Sequence, residues 1–207
     1  MERNVAILTM SSKNHGYCVA GVDVDNGEWI RLVLVSDDDQ SHGALSTTNI
    51  KYQDGTLCAP LDVVKVPVIG ARPLEYQPEN VLINDNKCWI KTGSINIDRL
   101  LKIHPTEKHD CLLGNQWAYV TDGAIGSVGH SLVIVEVNDL SIEHPREKST
   151  KASFIYCGIK YSSISVTDPD YYTCNPLCIK KAILVISLPE SPYKSKYYYK
   201  FIAKIFQ

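Results

Sequence analysis

The chain has 207 residues, of which 44% are hydrophobic and 21% are charged, and its net charge is −2. This composition excludes a disordered chain, and the sequence has no apolar run of the roughly 20 residues that a membrane-spanning helix needs. The length suits one large domain or two small ones of about 100 residues each.

Charge is unevenly distributed along the chain. Residues 1–144 carry eleven basic and nineteen acidic side chains, whereas residues 145–207 carry ten basic and four acidic ones. The second segment also holds eight of the twelve tyrosines. This pattern favours a local contact with an anionic ligand in the C-terminal part. The alternative is that these lysines only keep the edges of a sheet soluble.

The N-terminus begins with a short apolar run that is typical of a first β-strand rather than of a secretory signal. Seven cysteines are scattered along the chain, and an odd number does not suit a framework of disulfides. We therefore expect reduced thiols and a cytoplasmic protein, with no membrane partner.

Short strand-like segments dominate the first half. The sequence Asp25-Asn26-Gly27 predicts a tight hairpin turn, because Asn and Gly both tolerate positive φ. A helix is predicted over residues 96–103, with Asn96 as its N-cap and His104-Pro105 as its stop. Strands are predicted at residues 5–10, 17–24, 28–35, 62–70 and 87–91.

The second half follows the same pattern. A hairpin is predicted over residues 153–167 with its turn at Cys157-Gly158, and a short helix or turn over residues 112–119. Further strands are predicted at residues 131–138, 140–143, 182–188 and 197–206. About a dozen short strands with few short helices predict an all-β protein. A boundary after the first helix divides it into residues 1–105 and 106–207, each with enough strands for one small Greek-key barrel.

Trp29 and Arg31 are the first candidate binding residues. They lie two residues apart on one predicted strand, so their side chains share a face. An aromatic ring beside a guanidinium can stack on a nucleobase and contact phosphate, or it can form a packed cation–π contact that only stabilises the fold.

Two further groups of candidate residues contain aromatic and basic side chains. In the loop between the first two strands, Lys13, His15 and Tyr17 could meet a phosphate, although a simple polar turn would have the same residues. The C-terminal set could provide stacking and phosphate positions, and consists of Lys160, Tyr161, Tyr197, Tyr199 and Lys200. Strand alternation places Tyr197 and Tyr199 on the face opposite Tyr198 and Lys200, and we expect one of these faces to be core.

Metal-binding and catalytic patterns are weak. Cys174 and Cys178 form a C-x3-C pair, and His104, His109 and Cys111 form a loose cluster, but neither supplies the four ligands that zinc prefers. The sequence contains no nucleotide-binding loop and no hydrolase motif. We expect no metal, no cofactor and no enzyme activity. The alternative, a small hydrolase or nuclease, would depend on Asp168 in a turn that also contains Asp170.

A series of sequence stretches resembles a known family. They are Gly16-Tyr-Cys-Val-Ala-Gly-Val-Asp23, Gly27-Glu-Trp-Ile-Arg-Leu-Val33, Asp62-Val-Val-Lys-Val-Pro-Val68, Gln77-Pro-Glu-Asn-Val81, Ser165-Val-Thr-Asp-Pro169, Leu184-Val-Ile-Ser-Leu188 and Phe201-Ile-Ala-Lys-Ile-Phe206. In their order and spread the chain resembles the dual-OB domain family of bacterial proteins, which contain two tandem oligonucleotide/oligosaccharide-binding (OB) barrels.

The resemblance implies two tandem OB-like Greek-key barrels. It also implies a non-catalytic binding or sensor module for single-stranded DNA or RNA or a nucleotide, in a bacterial defence or repair system. The alternative is a protein-interaction adaptor that docks an effector from the same operon.

Overall fold

The structure is a computed structural model that describes residues 1–13, 16–34, 43–147 and 149–207, without the side chain of Lys13. The chain forms two compact units. The first unit contains Met1–Leu74 and Pro78–Pro105, and the second contains Glu75–Gln77 and Thr106–Gln207.

The first unit is a five-stranded barrel with one added strand and one helix. Its elements are β1 (Glu2–Lys13), β2 (Gly16–Asp23), β3 (Trp29–Val33), β4 (Asp62–Ala71), β5 (Asn80–Ile83), β6 (Ile90–Ser94) and α1 (Ile97–Ile103). The pairs β1–β2, β2–β3, β5–β4 and β4–β1 are antiparallel, and β3–β5 is parallel. These pairings close a ring in the order β1-β2-β3-β5-β4, and β6 adds to β4.

Alternating apolar residues of these strands fill the first barrel. Val5, Ile7, Val64 and Val66 are fully buried in its core, together with Trp89 just before β6. The period of two along a strand sends these side chains inward and their neighbours outward. The strand predicted at residues 87–91 lies later in the sequence than expected. Trp89 packs in the core just before it, and pairing with β4 begins only at Ile90.

Helix α1 begins and ends as the sequence predicted. The side chain of Asn96 accepts a hydrogen bond from the backbone N–H of Arg99 at 2.8 Å, which is the expected N-cap. His104 is the C-cap, and its Nδ1 lies 2.8 Å from the carbonyl oxygen of Gly27. The end of α1 is thereby attached to the loop between β2 and β3.

That loop is wider than the predicted tight turn. β2 ends at Asp23 and β3 begins at Trp29, so five residues separate the two strands. Within the Asp25-Asn26-Gly27 turn only Gly27 has a positive φ, at +75°. A Cβ atom on Gly27 would lie 2.8 Å from the carbonyl oxygen of Ile103, so this glycine also permits the close approach of α1.

The second unit repeats the same barrel topology. Its elements are a 3₁₀ turn (Leu112–Gly114), β7 (Tyr119–Thr121), α2 (Asp122–Ile125), β8 (Leu132–Arg146), β9 (Ser149–Tyr156), β10 (Ile159–Val166), a second 3₁₀ turn (Pro169–Tyr171), β11 (Leu177–Ser187), β12 (Tyr197–Tyr199) and β13 (Phe201–Phe206). The closed barrel has the order β8-β9-β10-β13-β11, with β10 and β13 parallel. Both units therefore have the strand order 1-2-3-5-4, closed between strands 1 and 4. This confirms the prediction of an all-β protein with two OB-like barrels.

The strand boundaries of the second half differ from the prediction in two places. The segments predicted at residues 131–138 and 140–143 form the single strand β8, whose pairing with β9 is irregular around Asp139, where φ is +51°. The strand predicted over residues 197–206 is divided at Lys200 into β12, which pairs with β7, and β13 in the barrel. The hairpin β9–β10 is confirmed, with positive φ at Cys157 and Gly158.

A short segment of the first half of the sequence, residues 75–77, belongs to the second unit. Tyr76 is 8% exposed, lies edge-on to Tyr198 at 5.1 Å and donates its hydroxyl hydrogen to the carbonyl oxygen of Glu190. Gln77 Nε2 donates a hydrogen bond to the carbonyl oxygen of Leu188 at 3.2 Å. The sequence contains no sign of this insertion.

Within the described residues, both helices are too short to cross a membrane. All seven cysteines lie in the described part of the chain and are free thiols.

Candidate nucleic-acid interface

Four tyrosines cluster on the segment that links β11 to β13 and on the strand paired with it. We call Tyr119, Tyr193, Tyr197 and Tyr199 the tyrosine surface. Tyr119 lies edge-on to Tyr197 at 4.7 Å and to Tyr199 at 5.9 Å. Tyr193 lies edge-on to Tyr199 at 6.0 Å, so the four rings form one contiguous group.

The pairing of β12 with β7 explains this group. Tyr197 is opposite Thr121, and Tyr199 is opposite Tyr119. Tyr198 points the other way, is 6% exposed and has its hydroxyl 3.4 Å from Asp122 Oδ1. The alternation of the strand therefore buries Tyr198 and leaves Tyr197 and Tyr199 half-buried on the outer face.

Exposed basic and aromatic side chains accompany the tyrosine surface. The Lys194 Nζ atom lies 5.3 Å from the centroid of the Tyr193 ring, and Lys196 is exposed. Tyr193 is 57% exposed, and Trp117, two residues before Tyr119, is 67% exposed. Residues 191–200 contain three lysines and no acidic residue. Such a surface can stack on unpaired bases and attract phosphate.

The outer face of β9 and β10 offers a second set of polar groups. Lys160 is exposed on β10. Lys151 on β9 donates a hydrogen bond from Nζ to Ser165 Oγ at 2.7 Å. In OB barrels, strands 2 and 3 and the loop between strands 4 and 5 commonly contact ligands. Their counterparts here are β9, β10 and the segment that carries the tyrosine surface.

Tyr161 and Lys200, by contrast, are each 1% exposed. Lys200 Nζ donates to the carbonyl oxygens of Leu112 at 2.6 Å and Asn115 at 2.8 Å, and to Asn115 Oδ1 at 2.9 Å. The Tyr161 hydroxyl accepts from the Leu112 N–H at 2.8 Å and donates to the Asn115 carbonyl oxygen at 3.2 Å. Burial lowers the pKa of the Lys200 ammonium to about 8. Both side chains hold the 3₁₀ turn in place and are not available to a ligand.

Arg31 is also buried in this structure. It is 5% exposed, donates from one guanidinium nitrogen to Cys18 Sγ at 2.9 Å and has its Nε 3.5 Å from Glu79 Oε1. Trp29 is half-buried and lies edge-on to His104 at 4.9 Å. Both residues of the predicted pair therefore pack within the first unit, Arg31 against Cys18 and Glu79 and Trp29 against His104.

The opening loop of the first barrel is only partly described. His15 lies outside the described residues, as does the side chain of Lys13. Tyr17 is half-buried against the first core and exchanges two backbone hydrogen bonds with Leu45. A Cβ atom on Gly16 would lie 2.6 Å from the carbonyl oxygen of Leu45, so the absence of a side chain at Gly16 permits the close approach of these two segments.

The carboxylate of the hydrolase alternative is buried, and the histidines of the loose metal cluster belong to different units. Asp168 is 0% exposed, and its carboxylate accepts hydrogen bonds from Lys204 Nζ at 3.2 Å and the Ile205 N–H at 3.0 Å. His104 contacts Gly27 in the first unit, whereas His109 belongs to the second, near Glu107. Cys174 Sγ lies 3.6 Å from His144 Nε2, and Cys178 is exposed.

Three aromatic residues of the site were missed by the sequence reasoning. Tyr193 could have been found from the alternating Tyr-Lys-Ser-Lys-Tyr pattern of residues 193–197. Tyr119 and Trp117 lie more than 70 residues away from this segment in the sequence. Only the β7–β12 pairing places Tyr119 beside Tyr197.

The chain is similar to a known protein family and to a solved structure. A family model described as "Dual OB-containing domain" matches residues 3–205. A solved structure described as "Structure of murine DNA binding protein bound with ds DNA" has 7% sequence identity and a TM-score of 0.37, over 100% of this chain and 98% of that one. No curated protein sequence matches the chain.

Proposed function

The chain belongs to the dual OB-containing domain family, and from this premise we propose that it is a non-catalytic module that binds single-stranded nucleic acid through the tyrosine surface of its second unit. The observation that carries the proposal is the contiguous group of four tyrosines, with lysines beside it, on the segment between β11 and β13. Single strands present unpaired bases, and each base stacked on an aromatic ring contributes about 1–3 kcal/mol.

The charge distribution supports an anionic ligand at this unit. The acidic remainder of the chain disfavours uniform coating by nucleic acid, whereas the exposed lysines Lys194 and Lys196 act locally. Lys160 and Lys151 would extend the phosphate track along β9 and β10. The non-catalytic assignment is supported by the burial of Asp168 against Lys204, since the hydrolase alternative depended on this carboxylate.

A direct test is fluorescence anisotropy with labelled single-stranded DNA and RNA at two salt concentrations. We expect binding that weakens with salt, and a loss of roughly 5- to 100-fold in Tyr193→Ala and Trp117→Ala, because each variant removes an exposed stacking ring. The variant Tyr172→Ala is the matched control, since Tyr172 is a 40% exposed tyrosine of the same unit outside the tyrosine surface.

The test also separates the competing ligands. Equal affinity of the Tyr172→Ala, Tyr193→Ala and Trp117→Ala variants would show that the tyrosine surface does not contact the ligand. Absence of salt-sensitive binding to both DNA and RNA would overturn the nucleic-acid proposal. Preference for a free nucleotide or a duplex would appear in competition with unlabelled ligand. Co-purification of an operon neighbour without oligonucleotide binding would identify an adaptor instead.

We also propose a sensor role in a bacterial defence or repair system, the setting that the sequence resemblance implied. It rests on family membership, and its test is the gene neighbourhood. Effector or repair genes beside this gene are the expected result, and a neighbourhood without them would contradict the role.

A further inference from the structure

A cleft in the second unit lies among Lys108, His109, Asp110, Cys111 and His130 and has a volume of about 460 Å³. The imidazoles of His109 and His130 line the cleft, and the carboxylate of Glu107 lies beside them. His109 Nε2 lies 3.0 Å from Glu107 Oε2, and His130 Nε2 lies 3.9 Å from the same oxygen. The three ligand atoms all lie within 4.8 Å of one another.

These separations are close to those of a metal site. A zinc ion with bonds of about 2.0–2.1 Å to each ligand in tetrahedral geometry holds neighbouring ligand atoms about 3.3 Å apart. Metal binding would require rotations of the His109 and His130 side chains, which are 43% and 37% exposed, to bring the ligand atoms closer together.

The surrounding residues fix the geometry of the site. Glu107 Oε1 lies 3.4 Å from the backbone nitrogen of Ile134 on β8, which donates to it and leaves Oε2 on the side of the two histidines. The Tyr156 hydroxyl accepts from the backbone N–H of His109 at 2.7 Å and donates to the backbone carbonyl oxygen of Glu107 at 3.2 Å, so it fixes the backbone that carries both side chains. The Ile134 contact orients the carboxylate itself, as outer contacts do in metal centres.

His130 provides an independent observation. Its Nε2 atom is buried and has no hydrogen-bond partner among the described residues. A buried nitrogen without a partner has a cost in free energy. A metal ion bound there would give the His130 Nε2 atom a partner.

From this geometry we propose that Glu107, His109 and His130 bind a divalent transition-metal ion of the zinc type. Imidazole and carboxylate together suit zinc and related ions better than calcium or magnesium, which prefer oxygen ligands alone. A tetrahedral ion with three protein ligands keeps one coordination position open. The inference goes beyond the proposed nucleic-acid binding and differs from the expectation of no metal drawn from the sequence.

The test is calorimetric titration of the tag-free full chain with zinc chloride in the absence of nucleic acid. One zinc per chain is expected. His109→Ala and Glu107→Gln should each weaken binding by more than about tenfold. Glu107→Gln retains the acceptor for Ile134, and circular dichroism verifies that both variants are folded. Glu143→Gln, which changes an exposed glutamate of the same unit, is the matched control and should bind as the parent does.

Two results of the titration would overturn the proposal. One is the absence of binding at 100 µM zinc, a concentration on the order of 1,000 times the dissociation constant of a site at about 0.1 µM. The other is binding that survives in both variants but is lost in His144→Ala, which would place the ion beside Cys174.

Cobalt(II) loading is the second measurement. A spectrum without a thiolate charge-transfer band is expected. Such a band would show that a cysteine binds the ion and would contradict the proposed ligand set. Because the titration contains no oligonucleotide, its failure is distinct from failure of the proposed function.

Discussion

At the scale of single residues, the charged side chains of the second unit divide into structural and surface groups. Asp168 and Lys204 form an ion pair of 3.2 Å, with side chains that are 0% and 10% exposed. Asp168 also accepts the Ile205 N–H, so one carboxylate joins the turn after β10 to strand β13. Removal of one member of a buried ion pair leaves the other charge buried without compensation, which costs more free energy than the loss of an exposed pair.

Asp168→Ala should therefore lower the free energy of unfolding by about 3 kcal/mol. Asp170→Ala is the control, because Asp170 pairs with the same lysine but its side chain is 71% exposed, and its loss should cost less than about 1 kcal/mol. Urea denaturation measures both variants. Similar losses in the two would show that burial of Asp168 contributes nothing.

Lys200 predicts a dependence of stability on pH. Burial lowers its pKa from 10.5 to about 8 in the folded chain. Between these pH values the unfolded chain holds one more proton, so the free energy of unfolding rises with pH, by up to about 1.4 kcal/mol per unit. Below pH 8 the lysine is charged in both states, and this contribution is constant.

In Lys200→Met this part of the rise should be absent. Urea denaturation of the parent and the variant at pH 8 and pH 9.5 measures the change in the free energy of unfolding between these pH values. The tyrosines and cysteines titrate in both chains, so the difference between the two changes belongs to Lys200. Parallel pH profiles would contradict the lowered pKa.

At the scale of elements, local patterns predicted most strands and the helix. Asn96 caps α1, and the hairpin β9–β10 turns at Cys157-Gly158, because capping and tight turns depend on residues that are adjacent in sequence. The predicted loop from β2 to β3 was too tight. The conformation at Gly27 depends on the close approach of the end of α1, which lies more than 70 residues later in the sequence.

Gly27→Ala should destabilise the protein by about 1–3 kcal/mol, since it combines a positive φ with a contact to the carbonyl oxygen of Ile103. Gly55→Ala is the matched control in the same unit. Its φ is +87°, but its nearest neighbour is the flexible side chain of Lys51 at 3.8 Å, so only the cost of the backbone, about 1 kcal/mol, remains. Thermal denaturation compares them, and equal shifts would show that the contact with α1 has no effect.

At the scale of the whole molecule, the two barrels share one strand order without a visible sequence repeat, and the second includes residues 75–77. Tyr76 supplies a buried ring and a hydrogen bond to Glu190 within the second unit. Removal of a buried aromatic side chain costs about 3–5 kcal/mol.

Tyr76→Ala should therefore loosen the second unit selectively. Hydrogen exchange followed by mass spectrometry should show faster exchange in β8, β11 and β13, and unchanged exchange in β1, β2 and β4. Faster exchange in the first barrel to the same extent would contradict the assignment of this segment to the second unit.

The sequence by itself determined the all-β class, the division into two small barrels and the basic, tyrosine-rich character of the C-terminal part. These properties follow from alternation, turn residues and composition, which act over a few residues or over the whole chain. The OB-like character of the barrels came from the resemblance to a known family. Only the tertiary structure decided which candidates are accessible. It buries Arg31, Tyr161 and Lys200 and leaves Tyr193 and Trp117 exposed. It also brings Tyr119 to Tyr197, and Glu107 to His130, because strand pairing and barrel closure join residues that no local pattern connects.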